Sequence, residues 1–216
     1  MNLARSTGIK WTNAHGHPRT GRIAIGPAAD RSIVDRARHG DLDAFEELVH
    51  ARMDAVYRLT HAIVNDPADA VDAAQEAFVA AWRQIAHLKD PDRFDAWLAR
   101  IAVNAARMAL RARGRRRVRE IAASAATEVA AGGTRAADSW RPTGDSGRPT
   151  DDGAGLAAAL AHLTADQRAL LALHHLEGRS VADIAAVLGI PIGTVKSRLF
   201  TARRALDAAL TAEDGR

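Results

Sequence analysis

The sequence predicts an all-α protein of two small helical domains joined by a flexible linker, with a helix-turn-helix as the C-terminal domain. Three observations predict it. Apolar residues recur at helical spacing through most of the 216 residues, and runs of alternating β-branched residues are absent. That periodicity decays between about Val118 and Gly155, where Gly, Ser, Thr, Pro and Asp accumulate. Ser180–Leu206 then carries the cap, the glycine and the apolar spacing of two short helices around a tight turn.

Composition narrows the classes open to the chain. A hydrophobic fraction of 47% is ample for a core, although aromatics make up only 4%. With no cysteine, disulfides and thiolate metal sites are excluded, which fits a reducing cytoplasm. No stretch approaches the roughly 18 apolar residues of a membrane span, so no membrane insertion is expected. The formal net charge is +4, but it is unevenly placed. Asp41–Glu76 holds nine acids against Arg52 and Arg58, whereas Arg100–Arg119 holds eight arginines and no acid. An acidic surface followed by a basic one predicts two different partners, the second a polyanion.

Residues 1–28 show no helical period and read as a flexible tail. His15 and His17 stand there without further ligands, so no metal site is expected. The first domain, 29–117, opens with the stripe Ile33, Val34 and Ala37, closed by His39-Gly40. Asp41 or Asp43 can cap a second helix carrying Phe45, Leu48, Val49, Arg52, Val56 and Leu59, which Asn65-Asp66-Pro67 ends. Pro67 suits the first turn of a third helix, with Val71, Ala74, Phe78, Trp82 and Ile85 inward and Asp69, Asp72, Gln75 and Glu76 outward. A Lys89–Arg93 loop leads to a fourth helix from about Phe94 to Arg111, in which Phe94, Trp97, Leu98, Ile101 and Met108 can reach the core. The linker spans 118–155 and contains an isolated Trp140.

In the second domain, 156–210, a helix over Leu156–Leu163 precedes one over Ala165–Glu177 capped by Thr164. Ser180 then caps a helix with Asp183 in a capping-box position, and Ile184 and Leu188 share its apolar face. Ala185 permits a close crossing, and Gly189 lets the chain leave the helix. Thr194 can cap the next helix, whose Val195, Leu199, Ala202 and Leu206 point inward. Lys196, Ser197, Arg198, Thr201, Arg203 and Arg204 cover the remainder, with no acid from Ile192 to Leu206. A basic second helix on such a turn is the arrangement that enters a DNA major groove. No nucleophile–base pairing, phosphate loop or metal-ligand spacing is found, so no catalysis and no cofactor are expected.

With these residues in place, the chain resembles the extracytoplasmic-function sigma factors of bacterial RNA polymerase. The resemblance runs through DAAQEAF, FDAWLARIAVN and GTVKSRL, in that order, and covers Asp41–Arg117 and Leu156–Leu206. It implies that the first domain is region two, which docks on the polymerase clamp and opens the −10 element. The second is then region four, which reads the −35 element. Carried onto this sequence, Asp69, Asp72, Gln75 and Glu76 would bind polymerase. Lys89, Phe94, Trp97, Arg100, Asn104, Arg107 and Arg111 would meet the melted −10 strand, with Asn104 and Arg107 on a surface separate from the acidic patch. Thr194, Lys196, Ser197, Arg198, Phe200, Thr201, Arg203 and Arg204 would serve the −35 element. Core RNA polymerase, promoter DNA and an anti-sigma factor are the implied partners. From their spacing, Phe94 and Trp97 fit a core role as well as a stacking role, and the acidic patch fits a solvated face. Met108 and Thr201 depart from the residues common in the family. A stand-alone helix-turn-helix regulator remains the alternative function, and an enzyme with a DNA-binding appendage a remoter one.

Overall fold

The computed structural model describes residues 29–131 and 151–214, with side chains placed over 29–121 and 155–212. The expected tail with His15 and His17, and Trp140 of the linker, lie outside the described residues. Eight α-helices and no strand occur among the described residues.

The first four helices are α1 (Arg31–Arg38), α2 (Leu42–Val64), α3 (Pro67–Gln84) and α4 (Phe94–Ala131). Local chemistry explains each start. Asp30, Asp41 and Asp66 cap α1, α2 and α3, each carboxylate accepting an N–H of the first turn. Asn65 ends α2 in the left-handed region at φ 58°, and Pro67 follows at the first turn of α3. Val34, Phe45, Leu48, Leu59, Ile63, Phe78, Ile85, Leu98 and Val103 form the core between them.

On α3 the buried stripe is Ala70, Ala73, Ala74, Ala77, Phe78 and Ala81. Small residues there let α2 and α4 approach closely, which displaces the larger neighbours. Val71 and Trp82, expected inward, are therefore exposed at 43% and 37%. Trp82 still lies against Phe45, ring centroids 5.0 Å apart. Met108, expected to reach the core, is exposed as well.

The fourth helix outruns its expected end. It continues to Ala131, well into the stretch read as linker, because Arg, Ala and Glu are good helix formers and no proline interrupts them. Gly114 within it weakens the helix by about 1 kcal/mol without breaking it.

The remaining helices are α5 (Asp151–Ala161), α6 (Ala165–Leu171), α7 (Val181–Leu188) and α8 (Ile192–Asp214), with a π-helical turn over Ala172–Leu176 after α6. Thr164 and Ser180 form reciprocal capping boxes with Gln167 and Asp183. Gly189, at φ 66°, closes α7 in a conformation that other residues adopt at a cost. The helix after it begins at Ile192 rather than at Thr194. Val195 N–H donates to Pro191 O, so Thr194 lies inside the first turn and does not cap it.

The two halves are packed together. Helix α6 and the π turn lie on α2, and α7 lies on α4. Leu170, Leu173, Ile184, Val187, Val195 and Leu199 join the same apolar core as the first four helices. Arg168, buried at 8% exposure, holds the junction. Its Nε donates to Ile63 O at 2.6 Å, and its Nη1 donates to Leu163 O at 2.6 Å and Leu160 O at 3.2 Å.

Candidate nucleic-acid and protein interfaces

Three surfaces carry the residues singled out by the sequence. The first is a groove of about 670 Å³ between α3 and α4. Asp69, Asp72, Gln75 and Glu76 line its α3 wall; Asn104, Met108, Arg113, Arg115 and Arg116 line its α4 wall. Asp72, Gln75 and Glu76 are exposed. Asp69 is half-buried and engaged by Arg113, whose Nη1 stands 3.2 Å from Asp69 and 3.6 Å from Asp66. Asp69 falls in the first turn of α3, where negative charge favours the helix dipole. Asn104 belongs to this groove, so the expected separation of Asn104 from the acidic patch does not hold.

The second surface follows α4, and its seven expected residues divide by environment. Lys89 and Arg100 are exposed. Phe94 is 1% exposed, its ring 5.9 Å from that of Trp97, so it is a core residue unavailable for stacking on a base in this conformation. The burial has a simple cause: Phe94 starts α4 directly after the turn Pro91–Arg93, whose Pro91 is itself buried, and the turn folds the ring under the helix. Trp97 is half-buried, leaving part of its ring accessible. Residues 100, 104, 107 and 111 form a stripe at i, i+4, i+7 and i+11. One edge, at Asn104, borders α3. The other turns toward α6, where Arg107 Nη2 pairs with Asp166 Oδ1 at 2.7 Å.

The third surface is the helix-turn-helix. The chain turns by 103° between α7 and α8, within the range of the DNA-binding motif. Val195 and Leu199 are buried as the spacing predicts, which turns Lys196, Ser197, Arg198, Phe200, Thr201, Arg203 and Arg204 to solvent. Arg204 reaches over the Phe200 ring, 5.9 Å from its centroid. The Ser197 and Thr201 hydroxyls donate to Thr194 O and Ser197 O. Their oxygens remain at the surface as acceptors. Thr194 is half-buried.

Sequence reasoning missed the polar groups between these surfaces. Arg52, read only as part of an apolar stripe, is buried and pairs with Asp95, Nε to Oδ1, at 2.7 Å. Arg179 Nη2 donates to Asp95 O at 2.8 Å and stands 3.9 Å from Glu177. Burial pushes the Glu177 carboxyl above its ordinary range, and Arg179 and Arg58 pull partly against it. An arginine at an apolar position, as in Arg52 and Arg168, is the signal that could have marked these sites. Among the described residues no group of His, Cys, Asp and Glu could hold a metal ion. None of the described helices is, singly, long and apolar enough to cross a membrane.

Comparison with known proteins agrees with this layout. Residues 48–116 match the family described as Sigma-70 region 2, and residues 154–206 match Sigma-70, region 4. The RNA polymerase sigma-H factor of Pseudomonas aeruginosa is 36% identical over 181 residues, 84% of this chain and 93% of that protein. The ECF RNA polymerase sigma-E factor of Escherichia coli is 34% identical over 179 residues, covering 82% of this chain and 92% of its own. Among solved structures, CnrH in complex with the cytosolic domain of CnrY superposes with a TM-score of 0.60 at 29% identity, covering 85% of this chain and 98% of CnrH. The sigma factor RpoE from Bartonella quintana, in complex with the anti-sigma factor NepR, gives 0.56 at 26% identity, over 79% of this chain and 98% of that one. With both regions present in order and relatives of this identity along most of its length, the chain belongs to the extracytoplasmic-function sigma factors of the sigma-70 family.

Proposed function

We propose that this sigma factor binds core RNA polymerase through the α3 wall of the acidic groove and directs it to promoters, with α8 on the −35 element and α4 on the −10 element. A non-enzymatic initiation factor needs recognition surfaces and no catalytic group, and the chain carries surfaces of both required signs. The observation that carries the reading is α8. Its Val195, Leu199 and Ala202 are sunk in the core, and Lys196, Arg198, Arg203 and Arg204 are exposed around a helix set at 103° to its partner. Arginines at such a face neutralise phosphate or bond guanine edges.

On the first region, Asp72, Gln75 and Glu76 are offered to a basic helical partner, while Asp69 is held by Arg113. Trp97, Arg100, Asn104, Arg107 and Arg111 remain the −10 candidates; Lys89 approaches from the loop. A stand-alone regulator would have no use for region two. Two similar solved structures contain partner proteins, and an anti-sigma partner is proposed for this chain also. Its place of work is then the cytoplasm, with DNA and polymerase. The test is run-off transcription with core polymerase on a genomic promoter library, wild type against a Lys196→Ala, Arg198→Ala double variant. Transcripts from a defined promoter set, lost in the double variant while polymerase binding persists, are expected. An unchanged transcript pattern would remove α8 from the −35 role.

A further inference from the structure

Between α2 and the helices of the second region lies a cavity of about 390 Å³ that none of the three surfaces above includes. That volume falls within the range of about 300–1,000 Å³ usual for small-molecule sites. Its walls are apolar: Leu156 and Leu160 come from α5, Leu171 from α6 and Leu206 from α8. Its charged lining has one sign. Arg58 and Arg168 border the cavity, with His61 and His175, and no acid does among the described residues. Arg168 is the unusual member. It is 8% exposed, and its guanidinium donates only to main-chain carbonyls, on Ile63, Leu160 and Leu163. Those bonds use Nε and Nη1; Nη2 takes part in none of them. They occupy N–H groups without cancelling the charge, and burial acts against that charge. Buried charges are ordinarily paired, so an anion that enters this cavity gains a partner already held in place.

We propose that this cavity binds a medium-chain carboxylic acid, with the apolar tail among Leu156, Leu160, Leu171 and Leu206 and the carboxylate against the Arg168 guanidinium, flanked by Arg58. The apolar walls reward burial of the tail, and the ion pair offsets the cost of keeping a guanidinium out of water. Neither part suffices alone: a bare small anion would leave the leucines uncovered, and a neutral tail would leave the Arg168 charge unmatched. A ligand with many polar groups does not fit, because the leucine walls offer those groups no hydrogen bonds. Arg58, exposed on α2, adds a second cation at the edge of the cavity while also acting on the Glu177 carboxyl. Burial, with His174 and Arg203 nearby, holds the His175 imidazole below its ordinary value. It is therefore neutral at pH 7 and can donate one N–H without adding charge. The site uses no residue proposed above for DNA or polymerase, so it does not rest on those roles.

The probe is sodium decanoate, titrated into the full chain by isothermal calorimetry below the concentration at which it forms micelles. Saturable binding at a single site per chain is expected. Decanol, with the same tail and no charge, should bind at least about tenfold more weakly, since a charge-assisted pair is lost. Acetate, the head group alone, should show no binding at the same concentrations. Arg58→Ala, at an exposed position, should weaken decanoate about three- to fivefold. Ala62→Phe, which fills the cavity from α2, should abolish binding, with helix content checked by circular dichroism. A second measurement needs no substitution. Decanoate carrying a diazirine at its tail end, irradiated with the wild-type protein, should cross-link within 156–176 or at Leu206. Absence of saturable binding, equal binding of decanol, or cross-links confined to other segments would each overturn the site. So would unchanged decanoate affinity in both Arg58→Ala and Ala62→Phe.

Discussion

The two regions solve the same folding problem with unequal means. The first closes a core of its own, with α1, α2, α3 and α4 all contributing buried aliphatic, alanine or phenylalanine side chains. The second has only the small cluster of Leu163, Leu171 and Ala202, flanked by Leu160, Ala205 and Leu206, to hold α5, α6 and α8 together. Its remaining apolar residues, Ile184, Val187, Val195 and Leu199 among them, belong to a core shared with the first region. A small helical unit buries proportionately less surface and is correspondingly marginal. The difference teaches that the stability of the second region and its docking on the first are coupled, and the first region, which supplies most of the shared core, is expected to depend less on that docking. The coupling is carried by arginines whose guanidinium groups satisfy main-chain carbonyls at the junction.

The strongest way to break this asymmetry is Arg168→Ala. Three carbonyl oxygens, on Ile63, Leu160 and Leu163, lose a donor at a buried site. Stranded buried acceptors cost about 1–3 kcal/mol, and a loss of about 3 kcal/mol is expected here. The loss should fall on the second region alone. In differential scanning calorimetry a low-temperature transition should separate from that of α1–α4, which should stay in place. A single transition moved downward as a whole would show that the two regions fold as one unit. Arg168→Lys should recover only part of the loss, because a lysine cannot spread donors toward α2 and α5 at once.

The next effect tests the converse. Arg52 and Asp95 pair inside the first region, with the arginine at 6% and the carboxylate at 22% side-chain exposure. Breaking a pair buried on one side only costs less than the 3–5 kcal/mol of a fully buried one, so Arg52→Ala is expected to cost about 2 kcal/mol. Asp95 also receives the Ala29 N–H, and its carbonyl receives Arg179. Arg52→Ala should consequently lower the unfolding temperature of both regions, unlike Arg168→Ala. Equal and confined effects of the two substitutions would remove the asymmetry.

These residues also mark the limit of what the sequence discloses. Thr164, Ser180, Gly189 and Pro67 were legible because a cap, a left-handed residue or a first-turn proline is fixed by two to four neighbours. Val195 and Leu199 were legible for the same reason, since four-residue spacing on a short helix leaves one face to bury. The α3 stripe was not, because alanines serve both faces of a helix and do not say which one is packed; Val71 and Trp82 were therefore placed on the wrong side. The end of α4 was missed because an arginine run suits a helix and a solvated tail alike. Arg168 bonds to Ile63, 105 residues earlier, and no local period encodes such a pair. Of the candidate surfaces, the exposure of the α8 residues was legible from their spacing apart from the position of Thr194. The α4 set was scattered over a core site, a groove and a cleft that only tertiary packing defines.

A smaller effect distinguishes the regions by pH. Glu177, buried beside Arg179 in the second region, has its carboxyl raised above the ordinary value, chiefly by burial. The folded state then holds its proton at pH values where the unfolded chain has lost it. Stability from this group is accordingly highest below the unfolded value of about 4.5 and declines as pH rises through the folded one. Glu177→Gln should flatten that decline in urea unfolding followed from pH 4 upward, without altering the pH dependence of the first region. Retention of the full slope would assign it to other groups.

The smallest expected effect on stability belongs to Phe200, which stands beside the buried Leu199 on α8. Leu199 is 4% exposed and Phe200 is 64% exposed. Leu199→Ala empties a buried site and should cost about 2–5 kcal/mol, by far the larger change of this pair. Phe200→Ala removes a largely exposed ring that lies under the Arg204 guanidinium, and should shift stability by no more than about 0.5 kcal/mol. A solvent-facing phenylalanine beside Lys196, Arg203 and Arg204 gains nothing for the fold, so a contribution to DNA is the effect to measure. In fluorescence anisotropy on a promoter duplex, Phe200→Ala should weaken binding severalfold, with an almost unchanged slope of affinity against salt, since the lost contact is apolar. Arg204→Ala should weaken it with a shallower slope, since a phosphate contact and its released counterion go together. A Phe200→Ala protein that is both as stable and as tightly bound as the wild type would place this ring outside the interface, and would confine the reading face of α8 to its charged and hydroxyl side chains.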